Sequence, residues 1–341
     1  MTVERVVIDT SDCCTPARDA VSEVHLPTET ELDGPADGVR PRATGIGYHS
    51  AASTARGLTR DLAVLSLIPA GPFHYGCDRR EGPPGDGEGP SRIVDLPAFR
   101  IDRCAVSNAR FARFVAATGY VTGAERTGWS FVFAGLLPDD FAETRGVAAA
   151  PWWREVFGAS WQRPEGPHSD VAARADHPVV HVSHADALAF CGWAGKRLPT
   201  EAEWEKAARG GLEGARFPWG DEEMPGGVAQ CNVWQGVFPA RNDLIDGHYG
   251  TAPVNAYAAN GFGLHNMAGN AWEWCADWSA MRRDPALPAG PSEGELRVMR
   301  GGSYLCHPSY CWRYRNAARS ASTPDSTTGH IGFRCAADAA T

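Results

Sequence analysis

After Gly211 the chain runs for about 130 residues without a convincing amphipathic helix. Only short extended pieces remain, broken by Gly, Asn and Pro turns. Such a stretch has few ladder hydrogen bonds, and buried backbone groups without partners are costly. Tryptophan packing, bound ions or cross-links must therefore hold it. The chain supplies 12 Trp, 38 Gly and 25 Pro, which suits a loop-rich fold with aromatic anchors and not a helical bundle. Oxygen-rich ion sites are expected in this half.

The 341 residues, 43% hydrophobic and 21% charged, are enough for one large domain or two small ones. Residues 1–58 are poor in large apolar side chains and read as a weakly structured arm. Cys13 and Cys14 lie in this arm and are read as part of a tail without function. Residues 59–341 form the ordered domain. A net charge of -9 makes the chain a poor partner for nucleic acid or anionic lipid, because both repel it. No apolar run resembles a membrane span, and the N-terminus lacks the apolar stretch of a signal peptide. A cytoplasmic protein is expected, with most of its ten Cys as thiols.

AVLSLI (63–68) reads as a strand, residues 80–92 as an exposed loop, and VDLPAFRIDRCAVS as short extended segments. Three helices are predicted. Ser107 or Asn108 caps the first, Phe111, Phe114 and Val115 form its apolar face, and Gly119 ends it. Ser183 opens the second, with Asp186 as its capping-box partner, Leu188, Cys191 and Ala194 on one face, and Gly195 as the stop. Thr200 and Glu203 box the third, which Gly210 and Gly211 terminate.

His177, His181 and His184 fall in DHPVVHVSH. Pro178 and three Val residues favour a strand over a helix. On a strand, four residues span roughly 13 Å, too far to share one ion, so a structural role is expected. Cys306 and Cys311 stand five apart in LCHPSYC, where Pro308 blocks a regular helix. A bent loop can bring the two sulfurs together as a disulfide, as half of a zinc site, or as a two-thiolate soft-metal site. Arg300, Arg313, Arg315 and Arg319 crowd the same segment and are expected to favour thiolates. Asn266 and Glu273, with intervening carbonyls, can wrap Ca2+. Residues 231–254 form a similar loop.

Several segments together resemble the formylglycine-generating enzyme, or sulfatase-modifying factor, family over about residues 60–338. They are SNARFARFVAATGYVT, DHPVVHVS, AFCGWAGKRLPTEAEWEKAARGG, NGFGLHNMAGNAWEWCADW and GGSYLCHPSYCWRYR. KRLPTEAEWE and NAWEW are shared across the wider superfamily and speak for fold. The paired cysteines are the specific marker. The resemblance implies a mixed α/β fold, a single C-type-lectin-like domain with little regular secondary structure. It also implies Cu(I) held by Cys306 and Cys311, with a substrate cysteine as third thiolate. O2-dependent oxidation then converts that cysteine to Cα-formylglycine. The implied partner is an unfolded sulfatase segment carrying Cys-x-Pro-x-Arg, whose Arg suits an acidic protein, and the enzyme is expected to act as a monomer.

Ser303, Tyr310 and Arg313 match pocket positions of the family, and Trp272 matches an aromatic wall. His307 follows the first cysteine as in the family. His330 stands where the family usually has Asn, which replaces an amide by an imidazole. Trp152 and Trp153 are expected as apolar contacts for the substrate in a surface groove. Calcium positions map onto Asn232, Val233, Asp246 and His248, and onto Asn266, Gly269, Ala271 and Glu273. Val233, His248, Gly269 and Ala271 would bind through their carbonyls. Cys191 and Cys335 match a pair that is disulfide-bonded in secreted relatives, while Ala208 and Asn316 occupy the positions of a second such pair. Two other readings of the scaffold are an iron-dependent sulfoxide synthase and a non-catalytic lectin-like module. The first needs a metal-binding helical domain, for which residues 1–58 are too short.

Overall fold

A computed structural model describes Pro16, residues 65–279 and residues 295–339. Cys13 and Cys14 lie outside the described residues, as does the first part of the strand expected over 63–68. The described part of that strand is β1 (Leu65–Ile68), which pairs antiparallel with β4 (Phe99–Asp102). The chain's last strand, β14 (Ala336–Asp338), pairs with the other edge of β4. Residues at both ends of the domain thus share one sheet. β2 (Gly71–Tyr75) and β3 (Arg92–Leu96) form a separate ribbon.

The helices follow their caps. Helix α1 (Asn108–Thr118) starts at Ser107, whose side chain accepts the Arg110 N–H, and ends at Gly119 with φ 66°. The short α2 (Gly123–Thr127) was not foreseen. Its signal was present in sequence, because Thr122 and Glu125 form a complete capping box. Helices α3 (His184–Trp193) and α4 (Glu201–Arg209) carry the expected boxes from Ser183 to Asp186 and from Thr200 to Glu203. The buried face of α3 is Ala187, Phe190 and Cys191; Leu188 is exposed, contrary to expectation. A face that includes Ala187 and Phe190 points Leu188 away from the core.

β5 (Trp129–Phe133), β6 (Gly146–Val147) and β7 (Ala150–Phe157) make a second sheet in the order β5-β7-β6. β8 (Gly236–Val237) and β9 (Arg241–Asn242) are a minimal ribbon. β10 (Trp272–Trp278), β11 (Arg297–Arg300), β12 (Arg319–Ser322) and β13 (Ile331–Gly332) form the central sheet, ordered β12-β11-β10-β13. β13 runs parallel to β10, with Trp272 opposite Ile331. This is a mixed α/β fold with few helices and short strands, as anticipated.

Buried ion pairs replace many missing ladder bonds. Arg334, with no accessible surface, forks onto Glu273 at 2.6 and 2.7 Å and also donates to the carbonyls of Asp102, Arg103 and His265. Arg300 binds Glu205 and the Asn316 and Ala317 carbonyls. Lys196 and Arg110 share Asp102. Pro16 is buried, and its carbonyl accepts the Ser326 hydroxyl.

The three histidines of DHPVVHVSH are structural, as expected, but 177–183 is an extended connection with one isolated bridge (Ser107 to Pro178) and not a strand, and His184 opens α3. His181 has φ 60°, which breaks any ladder. Its Nδ1 bonds Ser130 Oγ at 2.8 Å, while His184 Nε2 bonds the Cys275 carbonyl at 3.1 Å and His177 Nδ1 bonds Thr251. Burial holds His181 at a pKa of about 4, and burial followed by the charge of Arg297 does the same for His184, both from 6.5. The unfolded chain takes up these protons below pH 6.5 and the folded chain refuses them until about 4. Stability should therefore fall as pH drops across that window. Thermal melts between neutral pH and pH 4 should show the decline, and His184→Gln should flatten part of it.

Candidate active site

The segment after β11 turns sharply at Gly301 and Gly302, both at positive φ, and delivers Ser303 to the molecule's interior. A side chain at Gly302 would meet Tyr314 at 3.0 Å, so this close approach needs glycine. The Cys306 N–H donates to the Ser303 carbonyl, and the Ser303 N–H points at Cys306 Sγ at 3.4 Å. The Cys306 carbonyl accepts the Trp234 N–H at 3.0 Å. Cys306 is thus tied to the scaffold on both sides.

From there the chain folds back. The single carbonyl of His307 accepts the N–H groups of Tyr310, Cys311 and Trp312, at 2.9, 3.0 and 3.2 Å. Pro308 prevents a longer helix, so this one turn returns Cys311 toward Cys306. Both cysteines are buried, at 2% and 5% exposure.

They line one narrow, tightly closed pocket together with Trp152, Trp153, Trp272, Ser303, Leu305, Tyr310 and His330. Trp272 comes from the start of β10 and donates its N–H to the His330 carbonyl. Trp152 and Trp153 come from β7. His330 Nδ1 lies 3.0 Å from Ser303 Oγ, and its ring sits edge-on to Trp153 at 4.5 Å. Tyr310 stacks on Phe238 at 4.4 Å and meets Trp152 edge-on at 5.0 Å. The indole N–H groups of Trp152 and Trp272 are buried without a hydrogen-bond partner.

Eight of the residues named from sequence therefore meet: both cysteines, Ser303, Tyr310, Trp272, His330, Trp152 and Trp153. Leu305, a further wall, was not named and carries no signal beyond its position before Cys306. Trp153 is fully buried and forms an inner wall of the cavity, not a surface contact. Arg313 and His307 do not line it. Arg313 turns away to Asp86, with its Nε 2.5 Å and Nη2 2.9 Å from the carboxylate. His307 bonds Ser309 Oγ at 2.7 Å.

The other arginines of the segment are likewise matched by carboxylates. Arg315 forks onto Glu88, while Arg300 and Arg319 meet Glu201 and Glu205. Their charge is spent locally, so the expectation that they favour thiolates loses its source. The loop over 80–92 is largely exposed, as expected, but two of its acids are not. Asp86 and Glu88 are buried, because their arginine partners are. The shared two-residue spacing, Asp86 to Glu88 and Arg313 to Arg315, was the signal available in the sequence.

No cluster of three or more His, Cys, Asp or Glu able to hold a metal occurs among the described residues. The cysteine pair thus lacks the further ligands of a tetrahedral zinc site. Two buried sulfurs with aromatic walls fit a soft monovalent ion of low coordination number.

Two loops carry the residues matched to calcium. In the first, Asn232 Oδ1 is buried without a hydrogen-bond partner, and the Asp246 carboxylate accepts the Val233 and His248 N–H groups. Burial pushes Asp246 up, a penalty that a bound cation would offset. This donor set fits a hard cation. In the second, Asn266 Oδ1 accepts the Tyr257 N–H at 3.3 Å, and Gly269 and Ala271 frame the turn into β10. Glu273 is already bonded to Arg334 and to the Trp204 indole N–H, at 2.7 Å for the latter, so a cation there would share its carboxylate with a guanidinium.

Known proteins carry the same arrangement of segments. The family described as the sulfatase-modifying factor enzyme 1-like domain matches residues 51–339. The chain belongs to this family. A formylglycine-generating enzyme of Thermomonospora curvata is 58% identical over 282 residues, spanning 80% of this chain and 93% of that protein. One from Streptomyces coelicolor is 53% identical over 321 residues, spanning 93% and 96%. The solved structure of PvdO from Pseudomonas aeruginosa aligns with a TM-score of 0.55 at 26% identity, covering 81% of this chain and 94% of that one.

Family membership and the buried fork under the cavity give a direct stability test. Arg334→Leu leaves the Glu273 carboxylate buried without its guanidinium, which costs about 3–5 kcal/mol. Urea denaturation should show an unfolding free energy lower by that amount, with a lower midpoint and an unchanged slope.

Proposed function

We propose that this chain oxidises a cysteine within a Cys-x-Pro-x-Arg segment of an unfolded sulfatase to Cα-formylglycine, using Cu(I) and O2. One observation carries the reading: Cys306 and Cys311 line the same aromatic-walled cavity in a member of the sulfatase-modifying factor family. Relatives that share more than half of their aligned residues are named formylglycine-generating enzymes.

Cys306 and Cys311 would hold the copper, which when bound supplies the reactivity toward O2 that protein side chains lack. The chain's own part is positioning. Ser303 and the turn at His307 set the two sulfurs, and Trp272, Trp153 and Trp152 wall the cavity and exclude water. Ser303 and His330 present a hydroxyl and an imidazole where the substrate thiol would enter and can take or return its proton. Tyr310, stacked on Phe238, closes the remaining side. Overall, the Cβ–S bond and one Cβ–H bond break and a C=O bond forms. Dioxygen accepts four electrons, two from the substrate and two from an added thiol reductant. Hydrogen sulfide and water leave. The first calcium set, Asn232, Val233, Asp246 and His248, would brace the loop next to Trp234, whose N–H holds the Cys306 carbonyl. The second, Asn266, Gly269, Ala271 and Glu273, would brace the entry to β10.

A Cys-x-Pro-x-Arg peptide incubated with copper-loaded protein, reductant and air should gain one oxygen and lose one sulfur and two hydrogens by mass spectrometry. Cys306→Ser and Cys311→Ser should each abolish this product and Cu(I) uptake together. Conversion by both variants would refute the copper-pair reading. For the ion sites, a calcium chelator should lower the melting temperature of the parent protein and have less effect on Asp246→Asn.

A further inference from the structure

The two cysteines are not held alike. Cys306 is fixed by its immediate neighbours, through Ser303 on one side and Trp234 on the other. Cys311 is the far end of a one-carbonyl turn, and the next residue, Trp312, sits at φ 41°, an unfavourable backbone for a bulky side chain. Something outside the turn must hold it there.

The loop over 80–92 supplies three carboxylates to this segment. Glu81 forks onto Arg216 at 2.5 and 3.1 Å, Asp86 onto Arg313 at 2.5 and 2.9 Å, and Glu88 onto Arg315 at 2.6 and 2.7 Å. The guanidinium groups of Arg315 and Arg216 lie 4.8 and 5.7 Å from the centre of the Trp312 ring. Arg315 Nε also binds the Trp312 carbonyl at 3.0 Å. Two of the acids thus hold arginines against the Trp312 ring, and the third holds Arg313, the residue that follows it. The loop is itself braced: the Cys77 N–H donates to the Glu88 carbonyl, and any side chain at Gly82 would collide with Glu88.

We propose that this loop is a strap that positions Cys311. Glu81, Asp86 and Glu88 are positioning residues that act through Arg216, Arg313 and Arg315. The strap fixes the part of the two-sulfur site that the turn carries, while Cys306 is fixed by Ser303 and Trp234. Its purpose rests on the copper reading, but its mechanical effect does not. Charge-assisted bidentate pairs in a buried setting are strong and directional, and all three come from one short stretch of chain. Loss of one should therefore loosen Cys311 before it loosens the core.

The test uses the full chain with Asp86→Asn, Glu88→Gln and Glu81→Gln separately. Glu81 is partly exposed, so its variant remains folded if a deeper one does not. The first readout is iodoacetamide alkylation in the metal-free protein, followed residue by residue by mass spectrometry. Cys311 should react about tenfold faster in the variants, Cys306 should change less, and Cys275 and Cys335 in the core should not change. An unchanged Cys311 rate, or an equal rise at Cys275, would overturn the strap. The second readout is Cu(I) affinity by competition with a chromophoric chelator, which should weaken about tenfold. Unchanged affinity in a variant with a faster Cys311 overturns its role in metal binding. If the parent itself takes up no Cu(I), the copper reading fails, and the alkylation rates still decide the strap.

Discussion

The fork between Arg334 and Glu273 organises the interior. Arg334 has no accessible surface, and besides the carboxylate it satisfies three backbone carbonyls from two other segments. A charge removed from water is tolerated only when paired and fully hydrogen-bonded. The fork therefore admits one arrangement: β10, the residues after β13, the end of β4 and the loop at His265 must meet at one point. Trp272 precedes Glu273 and His330 lies just ahead of Phe333 and Arg334, so the same constraint places two walls of the cavity.

Other acid–arginine pairs extend the principle outward. Arg300 on Glu205 carries the carbonyls of Asn316 and Ala317. Arg313 and Arg315 fasten the cysteine segment to the loop over 80–92. In a domain whose strands are two to eight residues long, these pairs do what ladders do elsewhere. They satisfy backbone groups and fix relative positions over long separations in sequence. The site depends on this scheme because it sits on the least regular segment of all.

The walls of the cavity are held in two ways. The tryptophans of β7 and β10 and the Ser303–His330 pair are set by strand register and by the glycines at 301 and 302. The turn from His307 to Trp312 is organised by the carbonyl and ring of His307 and is completed by contacts from outside, among them Phe238 and Trp152 on Tyr310. A reactive pair of sulfurs needs a defined separation, and defining the second one takes more than local backbone bonds.

Much of this was legible in the residues themselves. Caps such as Ser183 with Asp186 act within one helical turn, so they can be read from spacing alone, and the same logic would have found Thr122 with Glu125. The Cys306–Cys311 pair and the aromatic and polar residues around it were recognisable as a set. Only the tertiary structure decided that Leu188 faces solvent and that Trp153 is an inner wall. It also decided that Arg313 serves Asp86 rather than the cavity, and that two carboxylates of an otherwise exposed, glycine-rich loop are buried. Local signals are short-range and survive in any context. The partner of a buried charge can lie more than two hundred residues away, as Asp86 does from Arg313, and is settled only when the chain closes around it.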